Sequence, residues 1–296
     1  MNQKDINRQK AISTTYISIV GNLSLAIAKG ITGFFGNSYA LIADAIESTT
    51  DVFSSLMVLI GIRYATKPPD MNHPYGHGKA EPLITFVVVG FLLTSATIIA
   101  YESIQNIQTP HKTPENYTLY VLAVIVIIKE IFYRIVSKRS KETNSSSLKA
   151  DAWHHRSDAI TSSLAFVGIS IAIFMGEGYE IADDIAALLA SGIIIYNAYL
   201  IFRPALGEIM DEHLYHDLIA KIRLVSETVV GVKSTEKCYV RKSGLYFHVD
   251  LHMVVDGNIS VFKGHEISHN LKDELRKKLP EISDVLIHIE PFGKKY

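Results

Sequence analysis

Six apolar segments in the first two-thirds of the chain limit what it can fold into. A bilayer core is about 30 Å thick, and a spanning helix needs roughly 20 mostly apolar residues. Residues 11–35, 39–64, 82–101, 117–136, 150–175 and 185–202 each approach or exceed that length. The third and sixth carry no charge, and the first carries only Lys29. The fourth contains Lys129 and Glu130. The second and fifth stand apart: Asp44, Glu47 and Asp51 lie in one, and His154, His155, Arg156 and Asp158 in the other. An ionisable group inside a membrane segment is costly, and by default it marks a site.

The remaining composition divides along the chain. Of the 59 Lys, Arg, Asp and Glu residues, 27 lie from Leu206 onward. With 48% hydrophobic residues, the chain is too apolar for disorder. The expected organisation is a transmembrane domain over 1–205 and a cytoplasmic regulatory and dimerisation domain over 206–296. A net charge of -1 gives no basic footprint for a nucleic acid. The single cysteine, Cys238, excludes an intrachain disulfide and a Cys-rich zinc knuckle. The polar start of the chain and the long segment after it do not read as a cleavable signal peptide.

Lysine and arginine set the orientation. Lys4, Arg8 and Lys10, then Arg63, Lys67 and Lys79, then Arg134, Lys138, Arg139, Lys141 and Lys149 flank one side of the segments. The opposite loops, near Gly36, His111 and Gly178, hold only Lys112. Both termini are therefore expected in the cytoplasm, at the inner membrane of the cell. Residues 137–147 read as a polar, Ser-rich linker. Beyond Leu206, helical patterns at 213–228 and 260–279 alternate with strand patterns at 234–241, 245–255 and 284–290. That order, αββαβ, predicts a small open-faced α+β sandwich.

Three clusters carry chemistry. Glu47 and Asp51, like His154 and Asp158, are spaced i, i+4, which puts both members of each pair on one helix face. Two such helices facing each other offer three carboxylates and an imidazole, suited to Zn²⁺, Mn²⁺ or Fe²⁺. The same groups could instead form a buried ion-pair set, Asp158 with Arg156 or Lys29. Asp70, His73 and His77 lie in a loop that Pro74, Gly76 and Gly78 allow to turn tightly. Seven of the twelve histidines fall in the C-terminal part, among them His248, His252, His265, His269 and His288, with Glu290 close by. No phosphate-binding glycine loop is present, which argues against ATP coupling within this chain.

These motifs resemble the cation diffusion facilitator family of divalent-metal transporters, in its bacterial zinc/iron-type branch. The resemblance rests on residues 41–45 leading into Glu47 and Asp51, the run 73–81, the stretch from His154 to Asp158, and residues 284–291. It implies six transmembrane helices followed by a metallochaperone-like domain. It implies a transport site of Glu47, Asp51, His154 and Asp158, and a loop site of Asp70, His73 and His77. A cytoplasmic site would comprise His252, His265, His288 and Glu290, and the Lys79–Asp211 pair would hold two protomers together. Glu47 departs from the Asp or His usual at that position. Glu236 and Glu290 depart from the His and Asp found in some members.

The expected function is a homodimeric secondary transporter, not an enzyme. It would export Zn²⁺, or else Mn²⁺ or Fe²⁺, from the cytoplasm in exchange for protons. The ion is cargo and regulator, and no other cofactor is expected. The partners are divalent metal ions, protons, the lipid bilayer and a second copy. A membrane-embedded metalloenzyme with Glu47 as general base, or a non-transporting metal sensor or assembly protein, are the competing expectations.

Overall fold

The computed structural model describes residues 3–35, 39–108, 117–175, 179, 181–212 and 214–293. Side chains at 3–4, 32–47, 50, 106, 118, 161, 165, 169, 172–173, 183 and 187 lie outside the described set. Six long helices come first: α1 (Gln3–Phe35), α2 (Tyr39–Ala65), α3 (Ala80–Gln108), α4 (Tyr117–Thr143), α5 (Ser146–Met175) and α6 (Ala182–Ile209). The order α7 (His216–Glu227), β1 (Ser234–Ser243), β2 (Tyr246–Val255), α8 (Val261–Lys278) and β3 (Ile282–Pro291) follows. The described chain divides into two compact units. One is Met1–Arg8, Ala65–Lys79 and Leu206–Tyr296, and the other is Gln9–Tyr64 and Ala80–Ala205.

In the helical unit, large apolar side chains point outward along the helices. Ile17, Val20 and Ile27 on α1, Val87 and Ile98 on α3, Ile127 and Ile131 on α4, and Leu189 and Tyr196 on α6 are all exposed. Such continuous apolar surface belongs against lipid, not water. The inward faces are lined by small residues, including Ala11, Ala96, Ala150, Ala152 and Ala198, which let helix backbones approach closely. Three stretches are long and apolar enough to cross a membrane by length and composition: Asp5–Ile31, Ala80–Gln105 and Asp184–Ile209, counted among the described residues. The helices bearing Asp51, Lys129 and the His154–Asp158 pair are not among those three stretches.

The stretch expected to be a linker, 137–147, is helix as far as Thr143. The chain reverses at Asn144, whose φ of 55° is left-handed and suits an asparagine, and α5 begins at Ser146. The serines there cap a helix and do not loosen a loop. Ser145 Oγ accepts from the Leu148 amide at 3.1 Å, the geometry of an N-cap. Glu81, fully buried on α3, accepts from the Ser147 amide at 3.2 Å and from Ser147 Oγ at 3.0 Å through Oε1, and from Ser145 Oγ as well. A carboxylate at a helix N-terminus meets unsatisfied amides and the positive end of the dipole.

In the other unit, the sheet order is β1-β2-β3, with β1 antiparallel and β3 parallel to β2. The expected αββαβ order is present. Along β2 burial alternates with strict period two: Phe247, Val249, Leu251, Met253 and Val255 are buried, while Tyr246, His248, Asp250, His252 and Val254 are half-buried. The buried set packs on Ile219 and Ile222 of α7 and on Ile267, Leu271 and Leu275 of α8. The opposite face of the sheet is left open to hold polar groups. Ser260 Oγ caps α8 by accepting from the Lys263 amide at 3.2 Å.

The β1–β2 turn meets the 65–79 segment through two glycines. Gly244 has a φ of +63°, and a Cβ there would stand 3.2 Å from the Gly78 Cα. A Cβ on Gly78 would collide with Ser243. Both positions therefore demand glycine, one for its backbone angle and both for the close approach.

Cys238 sits in this core, and burial pushes its thiol up to about 11. At neutral pH almost no thiolate forms, so alkylation requires the domain to open. Leu251→Ala removes a side chain 1% exposed, at a cost of about 2–5 kcal/mol. Maleimide labelling of Cys238 should be slow in the native protein and about thirty-fold faster or more in Leu251→Ala.

Candidate metal centres

The deepest cluster joins three helices of the membrane unit. Asp51 comes from α2, and His154 and Asp158 come from successive turns of α5. His154 Nε2 lies 2.7 Å from Asp51 Oδ1 and 3.9 Å from Asp158 Oδ2. One donor atom from each of the three side chains falls within 4.8 Å of the others, close enough to hold one ion. Asp51 and His154 are buried, and Asp158 is half-buried. The Glu47 side chain lies outside the described residues, although its backbone is in α2 one turn before Asp51. A cavity of about 160 Å³ opens beside the cluster, lined among others by Ser48, Ser95, Leu122, Ser157 and Ser162. That is room for several waters, between four serine hydroxyls and an aliphatic wall that includes Leu92, Ile99 and Ile125.

Lys129 of α4 completes the cluster, and the sequence pattern assigned it no role. Its Nζ stands 2.7 Å from Asp51 Oδ2 and 2.7 Å from Asp158 Oδ2. The ion-pair set envisaged from sequence is present, but its cation is neither of the two expected. Arg156 pairs with Glu130 at 2.6 Å, and Lys29 donates to Ser48 Oγ at 2.8 Å. The one signal that could have found Lys129 is its position: a lysine that follows the uncharged run 117–128 within a membrane segment calls for a buried anionic partner.

A second polar layer was equally silent in sequence. Asp151, fully buried, accepts from Ser18 Oγ at 2.8 Å and from Ser55 Oγ at 3.1 Å. His155 Nε2 is 3.3 Å from Ser18 Oγ. Asn22 links the layers, since its Nδ2 donates to Ser55 Oγ at 3.3 Å and its Oδ1 accepts from Lys129 at 3.4 Å.

The loop cluster lies in the other unit. Asp70, His73 and His77 each offer one donor atom within 4.8 Å of the rest. Asp70 Oδ1 is 3.0 Å from His73 Nδ1, and Asp70 Oδ2 is 3.3 Å from His77 Nε2. The backbone sets this geometry: Asp70 Oδ1 accepts from the His73 amide at 2.7 Å and the Asn72 amide at 2.9 Å, an Asx-type turn. The His73 amide is also the main reason the Asp70 carboxyl lies below the ordinary range. His77 is buried, whereas Asp70 and His73 are exposed.

On the open face of the sheet, the parallel register sets His252 beside His288 and Val254 beside Glu290. Glu290 Oε1 lies 3.0 Å from His252 Nδ1 and 3.3 Å from His288 Nε2. These three converge within 4.8 Å. His265 is not among them within one chain. It stands on α8 with its ring 4.4 Å from that of His269.

Lys79 and Asp211 meet within one chain, Nζ to Oδ1 at 2.5 Å. Lys79 also donates to the Glu208 carbonyl at 2.5 Å. Asp211 takes a left-handed φ of 53°, and the Glu212 amide bonds the Gly207 carbonyl at 2.8 Å. That pattern is a Schellman stop for α6, and it presents the Asp211 carboxylate at the helix end.

Residues 15–210 match the family model for the cation efflux transmembrane domain, and residues 214–292 match the model for the cation efflux protein cytoplasmic domain. The chain belongs to the cation diffusion facilitator family. It is 31% identical to the manganese efflux system protein MneP of Bacillus subtilis, over 98% of each chain. It is 32% identical to an uncharacterized transporter of Methanocaldococcus jannaschii, over 93% of this chain and 96% of the relative. Among solved structures it is similar to the metal-bound C-terminal domain of the CzcD transporter from Thermotoga maritima. That match has 30% identity and a TM-score of 0.26, and it covers 27% of this chain and 93% of that one. The family assignment makes this a membrane protein of divalent metal cation efflux, with a helical transmembrane domain and a C-terminal cytoplasmic domain.

The Asp70 turn carries a pH prediction. A carboxyl held low stabilises its turn above the ordinary carboxylate range, and that contribution is lost as pH falls through the lowered value. Amide hydrogen exchange of Asn72 and His73, corrected for intrinsic rates, should be protected at neutral pH and unprotected in strong acid. Asp70→Ala should remove that protection at every pH and leave the β2 amides unchanged.

Proposed function

We propose that this protein is a homodimeric antiporter that exports a first-row divalent ion from the cytoplasm in exchange for protons. All six long helices span the inner membrane in this reading, with both termini cytoplasmic. Residues 1–205 form the transport domain and 206–296 the regulatory one. Asp51, His154 and Asp158, with Glu47 as the fourth donor, make the transport site. Asp70, His73 and His77 make a loop site. His252, His288 and Glu290, with His265, serve regulation.

The observation that carries this reading is the convergence of Asp51, His154 and Asp158 donors beside a cavity inside the helical unit. Two carboxylates and an imidazole have little reason to share such a place unless a cation does too. His154 meets Asp51 through Nε2. A metal at that nitrogen requires the ring to be neutral, so loading the ion onto an imidazolium releases one proton and acidifying the site expels the ion. Alternating exposure of the site would couple the two flows.

Zn²⁺, the expectation from sequence, and Mn²⁺ differ in the donors they prefer. An oxygen-rich set favours the harder Mn²⁺, and the full-length relative MneP is named for manganese efflux. Mn²⁺ is therefore the first substrate to assay, followed by Zn²⁺ and Fe²⁺.

The test is flux in reconstituted vesicles under an imposed pH gradient. Wild type should move at least one of the three ions in the direction opposite to the downhill proton flow, and Asp51→Ala or Asp158→Ala should cut the flux by about a hundred-fold. Flux that ignores both the gradient and the substitutions would overturn antiport at this site. Function that survives Asp51→Ala without any flux would favour a sensor. Lys79→Ala should lower the dimer fraction in detergent by cross-linking and mass measurement, and an unchanged dimer would remove that ion pair from the interface account.

A further inference from the structure

One cation already occupies the proposed transport site. Lys129 Nζ bridges Asp51 Oδ2 and Asp158 Oδ2 at 2.7 Å each, and its side chain is 2% exposed. A dication bound by oxygen ligands sits about 2.0–2.2 Å from them. A metal and an ammonium cannot both hold the same two oxygens at such short range, because their mutual repulsion inside the helical unit is only weakly screened. Either Lys129 or the metal must give way.

The structure also offers the lysine somewhere to go. Asn22 Oδ1 is already 3.4 Å from Nζ. Behind it, through Ser55, lies Asp151, which is held by two hydroxyls and has the His155 imidazole 3.9 Å away. A long, flexible ammonium stem suits a short swing between two carboxylate layers.

We propose that Lys129 is a tethered counter-ion of the transport site. It neutralises Asp51 and Asp158 while no dication is present, yields toward Asn22 and Asp151 when one binds, and returns to displace it. This rests on the reading of Asp51, His154 and Asp158 as the transport site. Dication affinity then reflects binding less the displacement of Lys129. The site thus avoids both states that would trap it: two bare buried carboxylates, and a metal held too tightly to leave.

Isothermal titration of Mn²⁺ and Zn²⁺ into the purified full-length protein tests this. The transport-site component is defined as the part lost in Asp158→Ala, since the loop and cytoplasmic clusters also bind. Lys129→Met should tighten that component about ten-fold or more. Its metal-free melting temperature should fall, and its metal-induced rise should exceed that of wild type. In vesicle flux, KM and kcat should fall together, because release slows as binding strengthens. Lys129→Arg, which restores the cation, should return affinity toward wild type.

A lysine with a purely structural role predicts the opposite. A folded Lys129→Met that binds the ions equally or more weakly overturns the proposal. Lys129→Gln serves if the methionine variant does not fold. Failure of both to fold even with millimolar Mn²⁺ also counts against it, since the dication should replace the missing charge. If Asp158→Ala binds as wild type does, it is the transport-site reading that fails, whatever Lys129→Met shows.

Discussion

Charge held inside the helical unit is the constraint on which the rest of this protein depends. Asp51, His154 and Asp158 are costly where they stand, and they are tolerable only because each has a partner. Lys129 supplies the compensating charge, while Asn22, Ser18 and Ser55 supply a second tier of hydrogen bonds. Everything else in that unit follows from making such a cluster possible. The small inward residues bring helices close, and the outward apolar residues face lipid. The buried Glu81 pins the start of α5, the helix that carries His154 and Asp158.

The unit that contains the cytoplasmic domain solves a different problem with the same economy. Its sheet has one face committed to α7 and α8 and one face left open. Polar ligands placed on the open face cost little, because water satisfies them when no ion does. His252, His288 and Glu290 therefore stand together at little cost. The buried cluster has no such access to water, and there Lys129 supplies the opposite charge. The 65–79 segment lies between these extremes, with a buried His77 and an exposed Asp70 held by backbone amides.

Much of this was legible in sequence, and the reasons are physical. Apolar length alone marks a helix in lipid, so α1, α3 and α6 announce themselves. The i, i+4 spacing of His154 and Asp158 places both on one face wherever the helix goes. Period-two alternation from Tyr246 to Val255 shows a strand with two different faces. What stayed hidden depends on which helix faces which. Lys129 sits beside Glu130 with no partner marked by spacing, and only the packing of the helices reveals Asp51 of α2 and Asp158 of α5 as its partners. Asp151, Ser18 and Asn22 lie on separate helices, and no local pattern joins them. The 137–147 stretch misled because serine favours loops on average, yet Ser145 and Ser147 here serve a helix start. His265 shares a chain with His252 and His288 but not their cluster, because it sits in the helical layer.

The alternation in β2 has a consequence for how this protein can change over time. Core and open-face polar residues are interleaved on a single ten-residue strand, Phe247 next to His248 and Leu251 next to His252. Insertion or deletion of one residue there would exchange the two sets, sending imidazoles into the core and aliphatics onto the open face. Substitution at one parity is nearly independent of the other, whereas a length change is ruinous to both. The strand can therefore retune the chemistry of its open face side chain by side chain while its length stays frozen.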